Sequence, residues 1–312
     1  MRHLRLVPDD TKIGFMRLRR IMLPLSGLLA VLSIVMFFAV GLNLGIDFKG
    51  GSLIEIQTKE SPANIAELRQ TVGQLGLGDV QIQEFGAPDE VLIRVVQQEG
   101  GELAQQAVIA KIRNALGDSV EYRRVEIVGP TVSNELARTG TIAVLVSLFA
   151  ILVYIWFRFE WQYAIGAIIA TLHDVILTIG VFALLQLDFN LSSIAAILTI
   201  VGYSLNDTVV VYDRVRENVR RYRKMPLADL LDLSVNQTLS RTIMTSLTTL
   251  LALIALYVFG GEVIRSFVFA MIWGVLVGTF SSIYVASPVL LYLGANRDGG
   301  SPSKASAATG GA

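Results

Sequence analysis

Two carboxylates lie inside stretches of the chain that are otherwise apolar enough to enter a lipid bilayer. Asp207 follows Tyr203 and Asn206 in one such stretch. Asp174 lies in another, at 164–185. An ionisable side chain at the centre of a membrane helix costs about 2.5 to 3.5 kcal/mol by insertion scales, so its presence indicates a function. The chemistry that a carboxyl group offers there is the uptake and release of a proton.

Arg241, at the start of the next apolar segment, is the predicted partner of Asp207. At the 1.5 Å rise of a helix, Asp207 lies about 7 Å inside the expected membrane boundary near Tyr212. Arg241 lies a few residues past its own boundary, so the two charges can share a depth on neighbouring helices. Such a pair would keep Asp207 ionised, and protonation of Asp207 would release Arg241; the structural alternative is a static ion pair that only joins the helices. The supporting polar positions are Tyr203, Asn206 and Thr245.

The second carboxylate, Asp174, belongs to a polar face of its own segment. Thr171 and Thr178 lie three and four residues from it, which places all three on one side of a helix, with His173 beside them. This face is predicted to look into the helix bundle, because polar groups at membrane depth face the protein interior. Two roles remain open for Asp174: a hydrogen-bonded structural carboxyl, or a further member of the proton relay.

Composition supports a membrane protein. The chain has 312 residues, of which 53% are hydrophobic and 17% are charged, against a soluble average of about 25% charged. A membrane span needs about 20 apolar residues. Six runs qualify, at roughly 21–42, 137–157, 164–185, 191–212, 242–260 and 266–292. We therefore predict a polytopic α-helical membrane protein with six transmembrane helices.

The residue types also exclude several kinds of site. Cysteine is absent, which removes disulfides, thiolate catalysis and cysteine-based metal sites. The two histidines, His3 and His173, leave no cluster for a metal, and no cofactor is predicted. The Lys+Arg and Asp+Glu counts cancel at 26 each, which argues against nucleic acid as a partner.

The distribution of basic residues predicts the orientation in the membrane. A basic segment, 1–20, precedes the first span, 21–42, which is too long for a signal peptide and has no cleavage pattern. The other five spans occupy 137–292, and a basic loop, 213–241, is expected between the fourth and fifth. By the positive-inside rule, this loop and both termini are cytoplasmic. The tail, 293–312, is rich in Gly, Ser and Ala and is expected to be disordered.

The segment 43–136, between the first two spans, has soluble character, and the topology places it on the periplasmic side. Alternating apolar residues and helical repeats predict an order of β-α-β-β-α-β. The six elements are expected at 52–57, 63–75, 79–85, 90–96, 102–116 and 121–128. This is the order of the ferredoxin-like α+β fold. The segment carries no recognisable catalytic constellation.

Four stretches of the chain form a distinctive set. They are LGIDFKGGSLIEI (44–56), HDVILTIGVF (173–182), VGYSLNDTVVVYDRVREN (201–218) and LSRTIMTSLTTL (239–250). In this order and spacing, the chain from about 10 to 292 resembles the SecF subunits of the bacterial Sec protein-export machinery. These belong to the SecD/SecF family, within the resistance-nodulation-division superfamily.

The resemblance implies a function and a set of partners. Proteins of this family have six spans with an outer domain after the first, pair with SecD, and associate with the SecY channel complex in the bacterial inner membrane. The implied function is to use the proton motive force, together with SecD, to promote movement of exported polypeptide across or into the membrane. Protons and membrane lipid are then further partners.

The resemblance also implies roles for particular residues. Asp207 would be the principal proton-carrying carboxylate, and Arg241 would be its partner. The membrane-exit signature of the family is matched by Asp47, Phe48, Gly50 and Gly51. From the residues alone, this last stretch predicts only a glycine-hinged turn into the first strand.

Two other functions fit parts of the pattern. A proton-coupled small-solute antiporter of the same superfamily would need a deep substrate cavity, for which one modest outer domain offers little room. An intramembrane enzyme could use Asp174 and Asp207 as an acid–base dyad. Arg241 argues against the dyad, since a nearby cation favours ionised carboxyls whereas a dyad must hold one of them protonated. The chain is therefore not expected to be an enzyme.

Overall fold

The computed structural model describes residue 8, residues 11–261 and residues 264–294. Most of the first ten residues of the predicted basic N-terminal segment lie outside the described residues. The predicted tail also lies outside them from residue 295 onward.

Six long apolar helices form the membrane part of the molecule. They are α1 (Phe15–Ala39), α5 (Pro130–Arg158), α6 (Trp161–Leu185), α7 (Leu191–Arg221), α8 (Leu227–Phe259) and a last helix. The last helix consists of α9 (Arg265–Ser281), a π-helical segment (Ser282–Ala286) and α10 (Ser287–Leu293). All six are long and apolar enough to cross a membrane, with mean hydropathies of 1.7 to 2.4. The prediction of six apolar helices is confirmed.

The predicted basic loop at 213–241 is wrong. Helix α7 continues past the apolar run to Arg221, and α8 already begins at Leu227, so only residues 222–226 connect them. An apolar run marks where a helix leaves lipid, not where it ends, and arginine is a good helix former in water. Pro226 stands at the N-cap of α8, where its missing N–H costs nothing.

Three helices form the centre of the bundle. In the most apolar windows of α6, α7 and the last helix, 56%, 44% and 61% of the residues are buried, against 6% in α1 and 11% in α5 and α8. Glycines permit the close approach of the central helices. A Cβ on Gly274 would overlap Ile200 of α7, and one on Gly278 would lie 3.0 Å from Ser204 Cβ. The peripheral helices instead expose large apolar side chains, including Phe38, Phe149 and Phe259.

The segment after the first span is an α+β unit. Its elements are β2 (Gly51–Thr58), α3 (Ile65–Gly73), β3 (Val80–Phe85), β4 (Ala87–Val95), α4 (Gly101–Leu116) and β5 (Val120–Val128). All six elements were predicted, with ends displaced by up to three residues. The four strands form one antiparallel sheet in the order β3-β4-β2-β5.

The two helices pack on one face of this sheet. Ile54 and Ile56 of β2 are fully buried and alternate with partly exposed residues, as expected for a strand with one covered face. Ile54 lies opposite Ile93 of β4, and both pack against Ile112 of α4 and Val72 of α3 in one apolar cluster. The other face of the sheet looks towards the ends of the membrane helices.

Two short segments join this unit to the bundle. Strand β1 (Asn43–Leu44), directly after α1, pairs in parallel with β6 (Asp188–Phe189), which connects α6 to α7. The four-residue helix α2 (Ile46–Lys49) then leads into β2. The sheet unit is thus attached beside the α6–α7 connection.

Candidate functional site

Asp207 is buried between α7, α8 and the last helix. Its side chain is held by hydroxyls from both neighbours: Thr242 Oγ1 donates to Oδ1 at 2.8 Å, and Ser282 Oγ donates to Oδ2 at 3.2 Å. Asp207 is 5% exposed, and Thr242 and Ser282 are 2% and 0% exposed. The carboxyl group is therefore removed from bulk water and touches two hydroxyls that can donate or accept a hydrogen bond.

Arg241 does not make the predicted direct pair with Asp207. It is exposed on α8, and within the described residues no ion pair joins it to Asp207. With 3.6 residues per turn, neighbours on a helix point about 100° apart, so the helix that aims Thr242 at Asp207 turns Arg241 away.

The supporting polar positions do not hydrogen-bond to Asp207. Tyr203 donates from its hydroxyl to Ser246 Oγ on α8 at 3.3 Å. Thr245 donates to the carbonyl oxygens of its own helix, at Arg241 and Thr242, and Asn206 is exposed on α7. Tyr203 thus joins α7 to α8, while Thr245 and Asn206 lie outside the Asp207 site.

Asp174 lies in a second buried polar cluster. Its carboxyl group is fully buried, and Oδ2 accepts from Ser204 Oγ at 2.5 Å and from Ser281 Oγ at 2.7 Å. Oδ1 lies 2.9 Å from His173 Nδ1, and His173 Nε2 lies 2.5 Å from Ser26 Oγ on α1. The cluster therefore ties together α1, α6, α7 and α9.

The polar face predicted around Asp174 does look into the bundle. Thr171 and Thr178 are buried, and Thr178 donates to the Asp174 carbonyl oxygen at 2.8 Å. Asp174 and Asp207 accept from different hydroxyls, so they do not form a carboxylate pair that shares a proton. Within the described ranges, no group of three His, Asp or Glu side chains could hold a metal ion.

Asp47 and Phe48, in the predicted membrane-exit stretch, contact the start of α7 and the β6 segment before it. Asp47 Oδ2 accepts from the backbone N–H of Leu191, the first residue of α7, at 3.0 Å. A carboxylate at a helix N-terminus is favourable because it meets unpaired N–H groups and the positive end of the helix dipole. The Phe48 ring packs on Phe189 of β6, with ring centroids 5.9 Å apart.

Gly50 and Gly51 have backbone conformations that favour glycine, with φ of +69° and +119°. A Cβ on Gly51 would overlap the carbonyl oxygen of Val95 on the paired strand, and one on Gly50 would lie 2.7 Å from Gln97 Oε1. The predicted turn is present, and the close approach of β2 to β4 adds a second requirement for glycine.

An ion pair also holds the sheet unit to the α6–α7 connection. Arg94 of β4 reaches from the open face of the sheet, and its Nη2 lies 2.9 Å from Asp188 Oδ1 in β6. Asn43 Nδ2 donates to the same Asp188 oxygen at 2.9 Å. The sheet unit, the end of α1 and the α6–α7 connection therefore meet at one polar contact.

Comparison with known proteins places this architecture in a family. The family model described as "Protein export membrane protein SecD/SecF, C-terminal" matches residues 107–296, and the "SecD/SecF GG Motif" model matches residues 35–62. The protein translocase subunit SecF of Cereibacter sphaeroides is 46% identical over 305 residues, covering 95% of this chain and 94% of its own length. The chain belongs to the SecD/SecF family. The GG motif model includes Asp47, Phe48, Gly50 and Gly51.

Longer members of the SecD/SecF family match as well. The protein translocase subunit SecDF of Brucella abortus is 46% identical over 94% of this chain, which spans 39% of that relative's length. The crystal structure of SecDF, a translocon-associated membrane protein from Thermus thermophilus, superposes with a TM-score of 0.82 at 38% identity. That match covers 91% of this chain and 39% of the SecDF chain. This chain is thus similar to one part of the longer proteins and to nearly the full length of SecF.

Proposed function

We propose that this chain is an accessory subunit of Sec-dependent protein export that works with SecD in the bacterial inner membrane. The near full-length match to a protein translocase subunit SecF supports this function. The relatives that combine both names in one longer chain, SecDF, support SecD as the partner. The SecY channel complex and the exported polypeptide are the further partners in this proposal.

In this proposal the chain couples proton flow to export through Asp207, with Asp174 and the more distant Arg241 in the same relay. Ionised Asp207 accepts from Thr242 and Ser282. A proton bound at Oδ2 turns this oxygen into a donor, and the Ser282 hydroxyl then points to its alternative acceptor, the Thr279 carbonyl oxygen at 3.0 Å. Proton binding therefore rearranges the contact between α7 and the last helix.

The energy available from protons sets a requirement on this coupling. One charge crossing 100 mV supplies about 2.3 kcal/mol. About 5.5 kcal/mol moves a two-state arrangement from 1:99 to 99:1. Two charges supply about 4.6 kcal/mol, so a cycle driven by this membrane potential alone comes close to the full switch with two carboxyl sites but not with one.

The observation that carries the proposal is that the sheet unit is attached to the helices that hold the two carboxylates. Asp174 lies on α6 and Asp207 on α7, and the α6–α7 connection binds the sheet unit through Asp47, Phe48 and the Arg94–Asp188 pair. A rearrangement between these helices would reach the outer unit directly.

We propose that the outer unit is a periplasmic ferredoxin-like domain and that both termini are cytoplasmic. The β-α-β-β-α-β order and the antiparallel sheet order β3-β4-β2-β5 support the fold. The basic residues near the α7–α8 turn support the orientation. The exposed apolar faces of α1, α5 and α8 would meet lipid or SecD. The solute-antiporter alternative gains no support, since the relatives are named protein translocase subunits.

The test is Asp207→Asn in proteoliposomes that contain the chain, SecD and the SecY channel complex. We expect at least a tenfold loss of proton flux and of the part of export that an uncoupler abolishes. The matched control is Asp213→Asn on the same helix, because Asp213 is half-exposed and pairs with Arg158 at 3.1 Å. Unchanged flux and export in Asp207→Asn would refute the proton-carrying role.

A further inference from the structure

The first span contributes a side chain to the centre of the polar interior. Ser26 is 2% exposed, and its Oγ lies 2.5 Å from Nε2 of His173, which is 7% exposed. The other ring nitrogen lies 2.9 Å from Asp174 Oδ1. Ser26, His173 and Asp174 form a continuous hydrogen-bonded chain, which we call the His173 cluster.

We propose that the His173 cluster is a second proton-binding site, coupled to Asp207 through the neighbouring hydroxyls Ser281 and Ser282. His173 and Ser26 are positioning residues in this proposal, because they hold the Asp174 carboxyl group and sense its charge. The proposal rests on the proton-carrying role of Asp207 and adds to it a second site and a connection to the first span.

The cluster can satisfy its hydrogen bonds with one proton more or less. When Asp174 is ionised it only accepts, so His173 carries its proton on Nδ1, and Nε2 accepts from the Ser26 hydroxyl. One proton that binds at Asp174 Oδ2 removes one negative charge and makes this oxygen a donor to Ser204. Ser281, which also donated to Oδ2, has an alternative acceptor in the Gly278 carbonyl oxygen at 3.1 Å. No buried polar atom of the carboxyl group loses its partner in either state.

The two carboxyl sites are coupled because their hydroxyl partners are adjacent in the chain. Ser281 donates to Asp174, and the next residue, Ser282, donates to Asp207. On α7, Ser204 donates to Asp174 and lies three residues before Asp207, about 4.5 Å nearer the predicted outer side at the helical rise. The two donors are therefore held by one stretch of backbone, so a displacement of this turn at one site moves the donor of the other.

The helix is locally irregular at this point. The π-helical segment begins at Ser282, directly after the end of α9. Single π-helical turns inside α-helices are frequent at functional sites, because they interrupt the regular hydrogen-bond ladder. The turn whose serines bond to both carboxyl groups thus has an irregular backbone, which can adjust more easily when these hydroxyls change orientation.

Other charges are kept away from the cluster. Among the described residues of α1, α7 and α9, the groups that bond to it are the hydroxyls of Ser26, Ser204 and Ser281. Asp207 is the nearest ionisable group along α7 apart from Tyr203, which bonds to α8. The basic residues of α1, at positions 17, 19 and 20, and of α9, at 265, lie more than one helical turn away in sequence. The charge of the cluster is therefore set by His173 and Asp174.

Ser26 gives the cluster a route to the outer unit. It is the buried polar side chain of α1, and this helix leads through β1 into the stretch that holds Asp47. When Asp174 binds a proton, its bond from His173 Nδ1–H weakens because the acceptor loses its negative charge, and the imidazole can then shift against Ser26 Oγ. The state of the cluster can thus alter the packing of α1 against α6.

Two histidines in the chain make a direct test simple. The chain is labelled with ¹⁵N-histidine in a His3→Gln background, assembled with unlabelled partners in proteoliposomes, and its single imidazole is followed by solid-state NMR across a pH titration. We expect the His173 nitrogen shifts to change with pH as the neighbouring Asp174 carboxyl group binds a proton, and the midpoint of this change to move by at least half a pH unit when Asp207→Asn is added. Shifts that do not change with pH, or a midpoint that is identical with Asp207→Asn, would overturn the proposal.

A second measurement separates this proposal from a purely structural role. His173→Gln keeps a donor and an acceptor but replaces the imidazole that holds the Asp174 carboxyl group, and Ser26→Ala removes the hydroxyl that bonds to this imidazole. We expect each to change the pH profile of proton flux by at least half a unit, with the thermal stability of the complex within a few degrees of wild type. Thr199→Val is the control, because Thr199 is exposed and bonds only to the Ala195 carbonyl oxygen.

The outcomes also separate this inference from the function on which it rests. If Asp207→Asn keeps full proton flux, the proposed function fails. If Asp207→Asn abolishes flux while His173→Gln keeps the wild-type pH profile, only the second site is refuted.

Discussion

The bond between Thr242 and Asp207 offers a quantitative test of the site. Thr242→Val replaces the hydroxyl by a methyl group of similar size at a position that is 2% exposed. The lost contact is the 2.8 Å bond to Asp207 Oδ1. Hydrogen bonds between side chains of membrane helices average about 0.6 kcal/mol, with a maximum near 1.7 kcal/mol. Bonds to charged groups are stronger than neutral ones, so we expect a loss of about 1 to 1.7 kcal/mol in the free energy of unfolding.

The assay is unfolding in mixed micelles, arranged as a double-mutant cycle with Asp207→Leu, which removes the acceptor oxygen at similar size. If the hydroxyl acts through the carboxylate, most of the loss should disappear in the Asp207→Leu background, which leaves a coupling energy of about 1 kcal/mol. Thr245→Val is the matched control on the same helix, because Thr245 bonds only to backbone carbonyl oxygens. A coupling energy within about 0.3 kcal/mol of zero would show that the two residues act independently and would refute the described contact.

Two further predictions concern contacts that hold the site in place. In Gly180→Ala, the new Cβ would lie 2.7 Å from Ser33 Cα, a backbone atom that cannot rotate away. We expect the free energy of unfolding to fall by about 1 to 3 kcal/mol. An unchanged unfolding midpoint in mixed micelles would contradict the close packing of α1 on α6. In Arg94→Ala, the pair with Asp188 is lost, in which the two side chains are 12% and 25% exposed. We expect the attachment of the sheet unit to weaken by about 1 kcal/mol, measured as roughly fivefold faster amide hydrogen exchange in β1 and β6. Exchange that stays at the wild-type rate would show that the pair does not hold the unit.

The membrane helices and the strands of the sheet unit were predictable because buried positions produce a regular pattern of apolar residues in the sequence. An apolar run of about 20 residues has few other uses, and the alternation of Ile54 and Ile56 with polar neighbours marks a strand covered on one face. The ends of the helices are not marked by such a pattern. The stretch 213–241 is basic, and charge predicts contact with water but not the absence of helix, so α7 and α8 were predicted too short.

The depth of the site residues in the membrane was predictable, but the direction in which each side chain points was not. Counting residues placed Asp207 and Arg241 at one level of the membrane, yet a rotation of about 100° per residue decides which neighbour faces the carboxylate. The structure brings Thr242 there. Ser282 also donates to Asp207 and was not among the predicted site residues. A hydroxyl in an apolar helix serves helix packing as well as hydrogen bonding, so its bonding partner cannot be derived from spacing.

The two carboxylates form separate sites that meet at one turn of the last helix. Each is held by its own hydroxyls, so each can change its charge without requiring the other to take or give the same proton. They nevertheless share one turn of the last helix, where Ser281 serves Asp174 and Ser282 serves Asp207. Two separate sites on one irregular turn can add two charge-dependent contributions to a single rearrangement. That is the property that a cycle needs when one proton supplies less energy than the full switch.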